Sequence, residues 1–161
     1  MDFGLLESVP DAMVVADEDG TILYVNAVTE RLFGWERAAL VGQPVESLLP
    51  ARFRAVHHVH RAGYHAVPRN RPMGLGLDLS ALRRDGSEFA AEISLAPMDV
   101  DGRACVAAAV RDVTDRKKLE ERSRRLKRAQ EEIRERDEFL SIASHELRTP
   151  VTALLLQLQL L

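Results

Sequence analysis

Alternating apolar and polar positions predict five β-strands in the first two thirds of the chain. Between Met73 and Ser80, leucines at 75, 77 and 79 alternate with small or polar residues, a period of two that indicates a half-buried strand. The same criterion, helped by β-branched residues in the shorter runs, gives strands at 12–17, 21–25, 73–80, 88–98 and 103–113. Helical segments fall between the second and third strands. The pattern predicts an α+β domain with one five-stranded antiparallel sheet.

Local start and stop signals set the helix boundaries. Asn26 precedes residues 27–33 and is suited to cap the helix, and Gly34 follows them at a position favoured for a helix end. The acidic turn that ends in Gly20 is typical of a β-hairpin between the first two strands. Further helical segments are predicted at 1–10, 36–41, 44–49 and 51–66.

The C-terminal part of the chain has a different period. Leucine or isoleucine recurs every seven residues, at 119, 126, 133, 140, 147, 154 and 161. These residues occupy the first position of a seven-residue repeat, called position a. They form a thin apolar stripe that is expected to face a partner helix. Eighteen of the twenty-four residues at 115–138 are charged, and Arg122, Ala129 and Arg136 occupy d. The pattern predicts a weak coiled coil, in a homodimer formed through residues 115–161, and a linker that can change state.

Composition limits the function classes. A length of 161 residues suits one domain of about 100–120 residues with an extension. The net charge of −3 gives no basis for nucleic-acid binding by bulk electrostatics. The sequence has no apolar run of membrane-spanning length, and its single thiol, Cys105, cannot form an internal disulfide. We therefore expect a cytoplasmic chain without a membrane segment.

Residues with reactive side chains lie in the C-terminal helix. His145 comes five residues after Leu140, which at about 100° per residue turns it away from the coiled-coil seam. Glu146, the next residue, is a carboxylate that can accept a hydrogen bond from one ring nitrogen of a histidine. Pro150 removes a backbone donor and bends the helix just beyond. The alternative is an exposed histidine without function.

The string His-Glu-Leu-Arg-Thr-Pro at 145–150, preceded by Phe139 and Leu140, resembles the H-box of sensor histidine kinases. The resemblance implies that His145 accepts a phosphoryl group and passes it to an aspartate of a response regulator. It also implies that Thr149 helps to orient water in the reverse, phosphatase reaction. The sequence has no glycine-rich phosphate loop or ATP-lid motif. We therefore expect ATP and Mg²⁺ to act only through a catalytic domain outside this sequence, with this part of a protein-histidine kinase inactive alone.

Residues 5–115 resemble a PAS domain. The resemblance rests on the Asp-Gly hairpins, on Phe-Gly-Trp and Leu-Val-Gly within 33–42, and on Asp-Val-Thr at 112–114. It implies a sheet order of 2-1-5-4-3, with helices that wrap a pocket on one face. The expected organisation is a lead-in helix at 1–10, a PAS sensor domain at 11–114, a coiled-coil signalling linker at 115–138 and a truncated phosphoacceptor helix at 139–161.

The implied pocket supplies candidate ligand-binding residues, which are Phe33, Phe53, His57, Arg71, Met73 and Leu75. The apolar members either line a cavity for a small molecule or fill it. Arg71, at the pocket mouth, suggests an anionic or carbonyl-bearing ligand, and its alternative is an ion pair in a ligand-free domain. Signal output is expected through Asp112 and Thr114, because in the family this segment couples the last strand to the exit helix.

Cofactor binding is not expected. Residues 49–89 resemble haem-binding PAS oxygen sensors, but Arg71 stands where their proximal histidine would be, and His57 matches a histidine that is not the iron ligand. The cysteine motif of light-sensing flavin domains is missing, and His57, His58 and His60 lack a carboxylate or cysteine to complete a metal site. Two alternatives to the phosphoacceptor function stay open, namely a PAS interaction module that only dimerises and a haem-type sensor.

Overall fold

The computed structural model describes residues 3–66, 71–73 and 78–159, and the side chains of residues 3–64, 78–144 and Glu146. Two compact units follow one another along the chain, Met1–Lys117 and Lys118–Leu161. The first unit contains an antiparallel sheet with helices, and the described part of the second is a single helix.

One antiparallel sheet is formed by β1 (Ala12–Asp17), β2 (Ile22–Val25), β3 (Arg71–Met73), β4 (Leu79–Leu82), β5 (Glu88–Val100) and β6 (Arg103–Asp112). Its order is β2-β1-β6-β5-β3, and β4 also pairs with β5. Since β3 and β4 pair with successive parts of β5, they together occupy the place of the third predicted strand. The five-stranded PAS-type sheet and its predicted order are confirmed.

The predicted third strand at 73–80 had the wrong boundaries. β4 instead runs to Leu82, because the turn that follows returns the chain to β5. In that turn the Arg83 backbone N–H donates to Ser87 O over 2.9 Å, and Gly86, with φ of +83°, provides the left-handed position. This turn sets the register in which Ala81 pairs with Phe89. Leu75 lies outside the described residues.

The helices are α1 (Gly4–Glu7), α2 (Ala27–Phe33), α3 (Arg37–Leu40), α4 (Ala51–Ala66) and α5 (Thr114–Gln159), with a 3-10 helix at Val45–Leu48. Each lies within a segment predicted to be helical or, for α5, follows the heptad pattern. The Asn26 and Gly34 signals act as predicted, since Asn26 caps α2 and Gly34 ends it in the left-handed conformation. None of the helices in the described ranges is long and apolar enough to cross a membrane.

Apolar side chains pack on both faces of the sheet. The core on the helical face contains Ala12, Val14, Ile22, Val25, Phe33, Leu40, Leu48, Ala81, Phe89, Ala91 and Val110. On the opposite face, Met13, Val15, Tyr24 and Cys105 pack with residues of the N-terminal segment, where the Phe3 and Tyr24 rings stack at 4.5 Å. The alternation of each strand thus provides two apolar faces, one covered by helices and one covered partly by the lead-in segment.

Asn26 joins the N-terminal segment, β1 and α2 through one buried side chain. Its Oδ1 accepts hydrogen bonds from the backbone N–H groups of Met13 and Thr29, each over 3.0 Å. Its Nδ2 donates to the carbonyl oxygens of Asp11 and Leu6 over 2.9 and 3.1 Å. Asn26 is fully buried, so replacement by an apolar residue would leave several backbone groups without partners.

Asn26→Ala is expected to lower the free energy of unfolding by about 2–4 kcal/mol, because it removes a helix cap and leaves buried backbone groups unpaired. Urea denaturation followed by far-UV circular dichroism measures the effect as a lower midpoint with an unchanged slope. Ser8→Ala is the control, since Ser8 is exposed and its hydroxyl makes one bond to Leu5 O. Equal losses in the two variants would contradict the prediction.

Candidate functional site

The candidate reactive string lies within α5. The backbone of residues 145–150 is helical, and α5 continues through Pro150 to Gln159. Ser144 and Glu146, on either side of His145 in sequence, have exposed side chains. The side chains of His145 and Thr149 lie outside the described residues, so their predicted roles stay predictions.

The a positions of α5 are exposed in the single chain. Leu119, Leu126 and Ile133 keep 67%, 58% and 53% of their surface accessible, and Leu140 keeps 53%. Large apolar side chains repeated at this spacing and left in water favour association with another helix. This exposure supports pairing along the stripe that the heptad pattern predicts.

The aromatic candidates for the sensor pocket differ in their surroundings. Phe33 is 1% exposed and packs edge-on against Phe89, with ring centroids 5.4 Å apart, so it fills the core. Phe53 is 37% exposed on α4, and the Arg52 guanidinium lies 4.5 Å from its ring centroid. The backbones of Arg71 and Met73 lie in β3, and their side chains, like all of Leu75, fall outside the described residues. The predicted pocket stays a prediction.

His57 contacts a buried acid that sequence reasoning missed. Its Nδ1 lies 2.9 Å from Oε1 of Glu46, on the 3-10 helix, and Glu46 is only 3% exposed. The same oxygen is 3.4 Å from His58 Nδ1 and 3.4 Å from Arg61 Nε. The sequence places three basic or titratable side chains, His57, His58 and Arg61, on one helix, and such a group favours an acidic partner. No local pattern indicated that this partner is Glu46.

Arg61 extends this contact to the hairpin between β1 and β2. Its Nη1 donates to Glu18 O over 2.6 Å. The guanidinium lies so close to Gly20 that a Cβ there would be 2.6 Å from Arg61 Cζ. Gly20 also has a φ of +82°, so both the close approach and the backbone conformation require glycine. Glu46 and Arg61 together attach α4 to the edge of the sheet.

The electrostatics of Glu46 favour its ionised form. Burial raises the pKa of Glu46, but the hydrogen bond from His57, a backbone hydrogen bond and the charges of His57 and His58 lower it more. The result is a pKa below the usual value of 4.5. The carboxylate therefore stabilises the fold while it is charged, and this stabilisation depends on pH.

Asp112 and Thr114, the predicted coupling residues, meet at the end of the sheet. Asp112 Oδ1 accepts from the Thr114 backbone N–H over 2.8 Å, and the Thr114 hydroxyl accepts from the Ala90 backbone N–H over 3.0 Å. Partial burial raises the pKa of Asp112. The hydrogen bonds from Thr114 and Arg83 together have the larger effect, so this pKa lies below its usual value. This geometry joins β5, the end of β6 and the first residue of α5.

Arg83 is the basic partner of Asp112. Its Nη2 lies 2.6 Å from Asp112 Oδ2, and its Nη1 donates to Leu32 O at the end of α2. The guanidinium also lies over the Phe89 ring, 4.3 Å from the centroid. Arg83 lies 29 residues before Asp112 in sequence, so no local signal pointed to this pair.

In the described ranges, no group of three or more His, Cys, Asp and Glu side chains is placed to hold a metal ion. His57 is hydrogen-bonded to Glu46, and Phe33 and Phe89 belong to the packed core on the helical face of the sheet.

Two family models match the chain. The first, described as PAS fold, matches residues 6–118. The second, described as the His Kinase A (phospho-acceptor) domain, matches residues 135–161. The second range contains the whole reactive string and the last part of the coiled-coil pattern.

Two relatives of known name align with nearly the whole chain. The chain is 30% identical over 153 residues to the sensor protein FixL of Bradyrhizobium diazoefficiens, an alignment of 93% of this chain and 30% of that protein. It is 25% identical to the cell-division control histidine kinase PdhS of Brucella ovis, over 94% of this chain and 14% of that one. The chain thus spans less than a third of either relative.

A solved structure supports the fold. The PAS domain of an HTR-like protein from Haloarcula marismortui superposes with a TM-score of 0.58 at 26% identity, covering 68% of this chain and 86% of that one. The covered fraction fits the extent of the sheet-containing unit, Met1–Lys117.

Glu46→Gln is expected to lower the free energy of unfolding by about 1–3 kcal/mol at pH 7, because the amide cannot replace the charged acceptor. The folded-state pKa is lowered, so the stabilisation is present above the unfolded value near 4.5 and disappears as pH falls through the folded value. The difference between wild type and variant should therefore shrink below about pH 4.5, as measured by urea denaturation from pH 7 to 3.

Glu36→Gln is the matched control for this pH dependence, because Glu36 is an exposed carboxylate without a side-chain capping bond. Its stability should follow the wild type at every pH. A Glu46→Gln deficit that stayed constant down to pH 3 would show that the effect does not come from ionisation of Glu46.

Proposed function

This chain belongs to the PAS family, and we propose that it is part of a PAS-domain sensor histidine kinase in which His145 is the phosphoacceptor. In this proposal His145 receives the γ-phosphoryl group of ATP bound to a catalytic domain outside the 161 residues, and passes it to an aspartate of a response regulator. The observation that carries it is the position of His-Glu-Leu-Arg-Thr-Pro within α5, inside the range that matches the phospho-acceptor domain.

The reaction assigns a task to each residue of the string. One imidazole nitrogen attacks the γ-phosphorus, forming the N–P bond as the bond to the bridging oxygen breaks and ADP leaves. Glu146 accepts a hydrogen bond from the other ring N–H and stabilises the positive charge that develops on the ring. Transfer to the aspartate breaks the N–P bond and regenerates the neutral histidine. Thr149 orients water for hydrolysis of the phosphorylated regulator.

The PAS unit is proposed to control this reaction through Asp112 and Thr114. Their hydrogen bonds connect β5 with the start of α5, and Arg83 connects Asp112 with the end of α2. A change in the core would therefore alter the contacts of the first turn of α5. The first turn of α5 makes two further ion pairs with residues of the sheet and its loops. Arg116 pairs with Glu92 over 3.2 Å, and Lys117 pairs with Asp78 over 2.6 Å. These contacts support a mechanical connection between sensor and exit helix.

The partners follow from the same assignment. A phospho-acceptor domain implies dimerisation and a response-regulator partner, and we propose that the homodimer forms through residues 115–161. The single buried thiol, Cys105, accords with the reducing cytoplasm in which we place the reaction. A small-molecule ligand near Phe33, Phe53, His57, Arg71, Met73 and Leu75 also belongs to this proposal.

Incubation with ATP and a separately supplied histidine-kinase catalytic domain is expected to place acid-labile, base-stable phosphate on His145. His145→Gln should reduce incorporation to background, because the amide offers no nucleophilic nitrogen. His60→Gln, at an exposed histidine of α4, should keep the wild-type level. Phosphate is measured by radiolabelling and by mass spectrometry under alkaline conditions, with ATP alone as the blank.

The same experiment decides against the competing interaction-module function. The positive control is phosphorylation, by the same catalytic domain, of its own phosphoacceptor domain. If that control works and the wild-type chain stays unlabelled, the result contradicts the proposal and favours a PAS module that only dimerises. Equal loss in His145→Gln and His60→Gln would show that labelling is not specific to the string.

Thr114→Val is expected to loosen the start of α5, since it removes the hydroxyl that accepts from the Ala90 N–H. A loss of about 1 kcal/mol corresponds to roughly fivefold faster amide exchange of Ala90 and of the first turn of α5. Hydrogen–deuterium exchange with mass spectrometry measures it, with Thr21→Val as the control in the same unit. Unchanged exchange in Thr114→Val would argue against a coupling role.

A further inference from the structure

Helix α4 directs polar side chains toward its own unit. Among its described side chains, only His57, Arg61 and Tyr64 are not exposed, and they share one face because they are spaced by four and three residues. His57 Nδ1 and Arg61 Nε lie 2.9 and 3.4 Å from Oε1 of the buried Glu46. A helix that only covers its own core normally turns an apolar face inward. In α4 the inward face is mostly polar, so its apolar residues lie elsewhere.

The opposite face of α4 has an exposed apolar stripe. Its members are spaced by three or four residues along the helix, and we call them the outer stripe: Ala55, Val56, Val59, Ala62 and Gly63. At about 100° per residue, Val59 lies about 160° around the helix axis from both His57 and Arg61. Val56 and Val59 keep 54% and 71% of their surface accessible. Contiguous apolar residues left in water favour contact with another molecule.

Gly63 is not explained by the fold of the chain. It lies inside α4, outside the left-handed region of φ, and a Cβ there would meet no atom of the described residues within 4 Å. Glycine weakens a helix interior relative to alanine, so the fold gains nothing from it. A second helix packed across the outer stripe would account for it, because glycine and alanine let two helix axes approach closely.

The outer stripe lies on a basic helix. α4 contains three arginines, four histidines and no acidic residue. Arg52 pairs with Glu88, but Arg54 donates over 3.1 Å to a backbone carbonyl oxygen, which has no formal charge. His58 and His60 border the stripe, one on each side. A partner with acidic side chains would complement this surface.

Two other occupants fit the outer stripe less well. A second copy of α4 would bring the same basic residues and no acid, so the pair would lack counter-charges. Helices that lie in a membrane interface insert large side chains such as Trp, Phe and Leu, whereas the outer stripe contains only alanine, valine and glycine. Such small side chains suit the shallow contact between two closely packed helices.

We propose that the outer stripe of α4 is a docking surface for an amphipathic helix outside these 161 residues, with an aliphatic face bordered by aspartate and glutamate. In this contact Gly63 lies where the two helix axes come closest, and the acids face the histidines and Arg54. The polar inward face then holds α4 to its own unit, while the apolar outward face binds the partner.

The test uses the whole 161-residue chain and two synthetic helical peptides of about 20 residues, each about 30 Å long when helical. Both peptides have leucine and alanine on one face, and their flanks have glutamate in one and lysine in the other. Binding is measured by the fluorescence anisotropy of a label on the peptide. The glutamate peptide should bind, and the lysine peptide should bind at least about tenfold more weakly, because its charges repel those of α4.

Val59→Glu should weaken binding of the glutamate peptide at least about tenfold, because it places a charge in the apolar stripe that repels the peptide. Leu5→Glu is the matched control. Leu5 is an apolar residue of α1 that is 87% exposed, and its replacement adds the same charge away from α4. Binding to this control should change less than about twofold.

Gly63→Leu separates docking from folding. Leucine favours a helix more than glycine does, and a Cβ at this position meets open space among the described residues, so the urea midpoint of the free chain should not fall. The affinity for the glutamate peptide should nevertheless fall at least about tenfold, because the larger side chain keeps the two helices apart. An unchanged affinity would contradict the close approach at Gly63.

Three results would overturn the proposal. Equal binding of both peptides, or no binding of the glutamate peptide up to about 1 mM, would remove the acidic helix as partner. Binding to phosphatidylglycerol vesicles that Val59→Glu abolishes and Leu5→Glu does not, without peptide binding, would assign the stripe to a membrane. A dimer dissociation constant that Val59→Glu alone raises would assign it to a second copy. The labelling of His145 is independent of all three results.

Discussion

The carboxylate of Asp112 is the point on which the organisation of the first unit depends. One oxygen accepts from Arg83 and the other from the backbone of Thr114, so a single side chain determines where β6 ends and α5 begins. Arg83 in turn contacts the end of α2 and the face of Phe89. Asp112 and Arg83 therefore connect the start of α5, the end of β6 and the core residue Phe89. Because the ion pair is only partly buried, both partners remain within reach of solvent and their pairing is adjustable.

Glu46 shows a second use of an acid, with a different balance of energies. It is almost completely buried, which on its own would favour the neutral form, yet several basic groups of α4 surround one of its oxygens. The cost of burying the charge is offset by hydrogen bonds, and α4 is held to the 3-10 helix and the first hairpin as a result. The helix with the candidate ligand residues Phe53 and His57 is thus fixed by polar contacts, while much of its apolar surface, such as Val59, faces water.

Sequence patterns predicted those features that depend on neighbours in the chain. Asn26 as a cap, Gly34 as a helix end and the alternation of β5 and β6 are local or periodic signals, and each corresponds to an observed element. The pairing of Arg83 with Asp112 and of Glu46 with His57 depends on the folded topology, which joins residues far apart in sequence. The division of the third strand into β3 and β4 also escaped prediction, because alternating leucines indicate strand geometry without indicating where pairing with β5 occurs.

A weak seam suits the proposed function better than a strong one. Leucine or isoleucine at both a and d would bury enough apolar surface to hold α5 in one state whatever happens in the PAS unit. With arginine at two of three linker d positions, we expect only a small difference in free energy between the paired and unpaired states. A change of about 1.4 kcal/mol then alters their ratio tenfold, which is within the range that ligand binding or one rearranged ion pair supplies. In the proposed function, the arginines that reduce the stability of the coiled coil make it responsive, and the response reaches His145, twenty-three residues after Arg122 on the same helix.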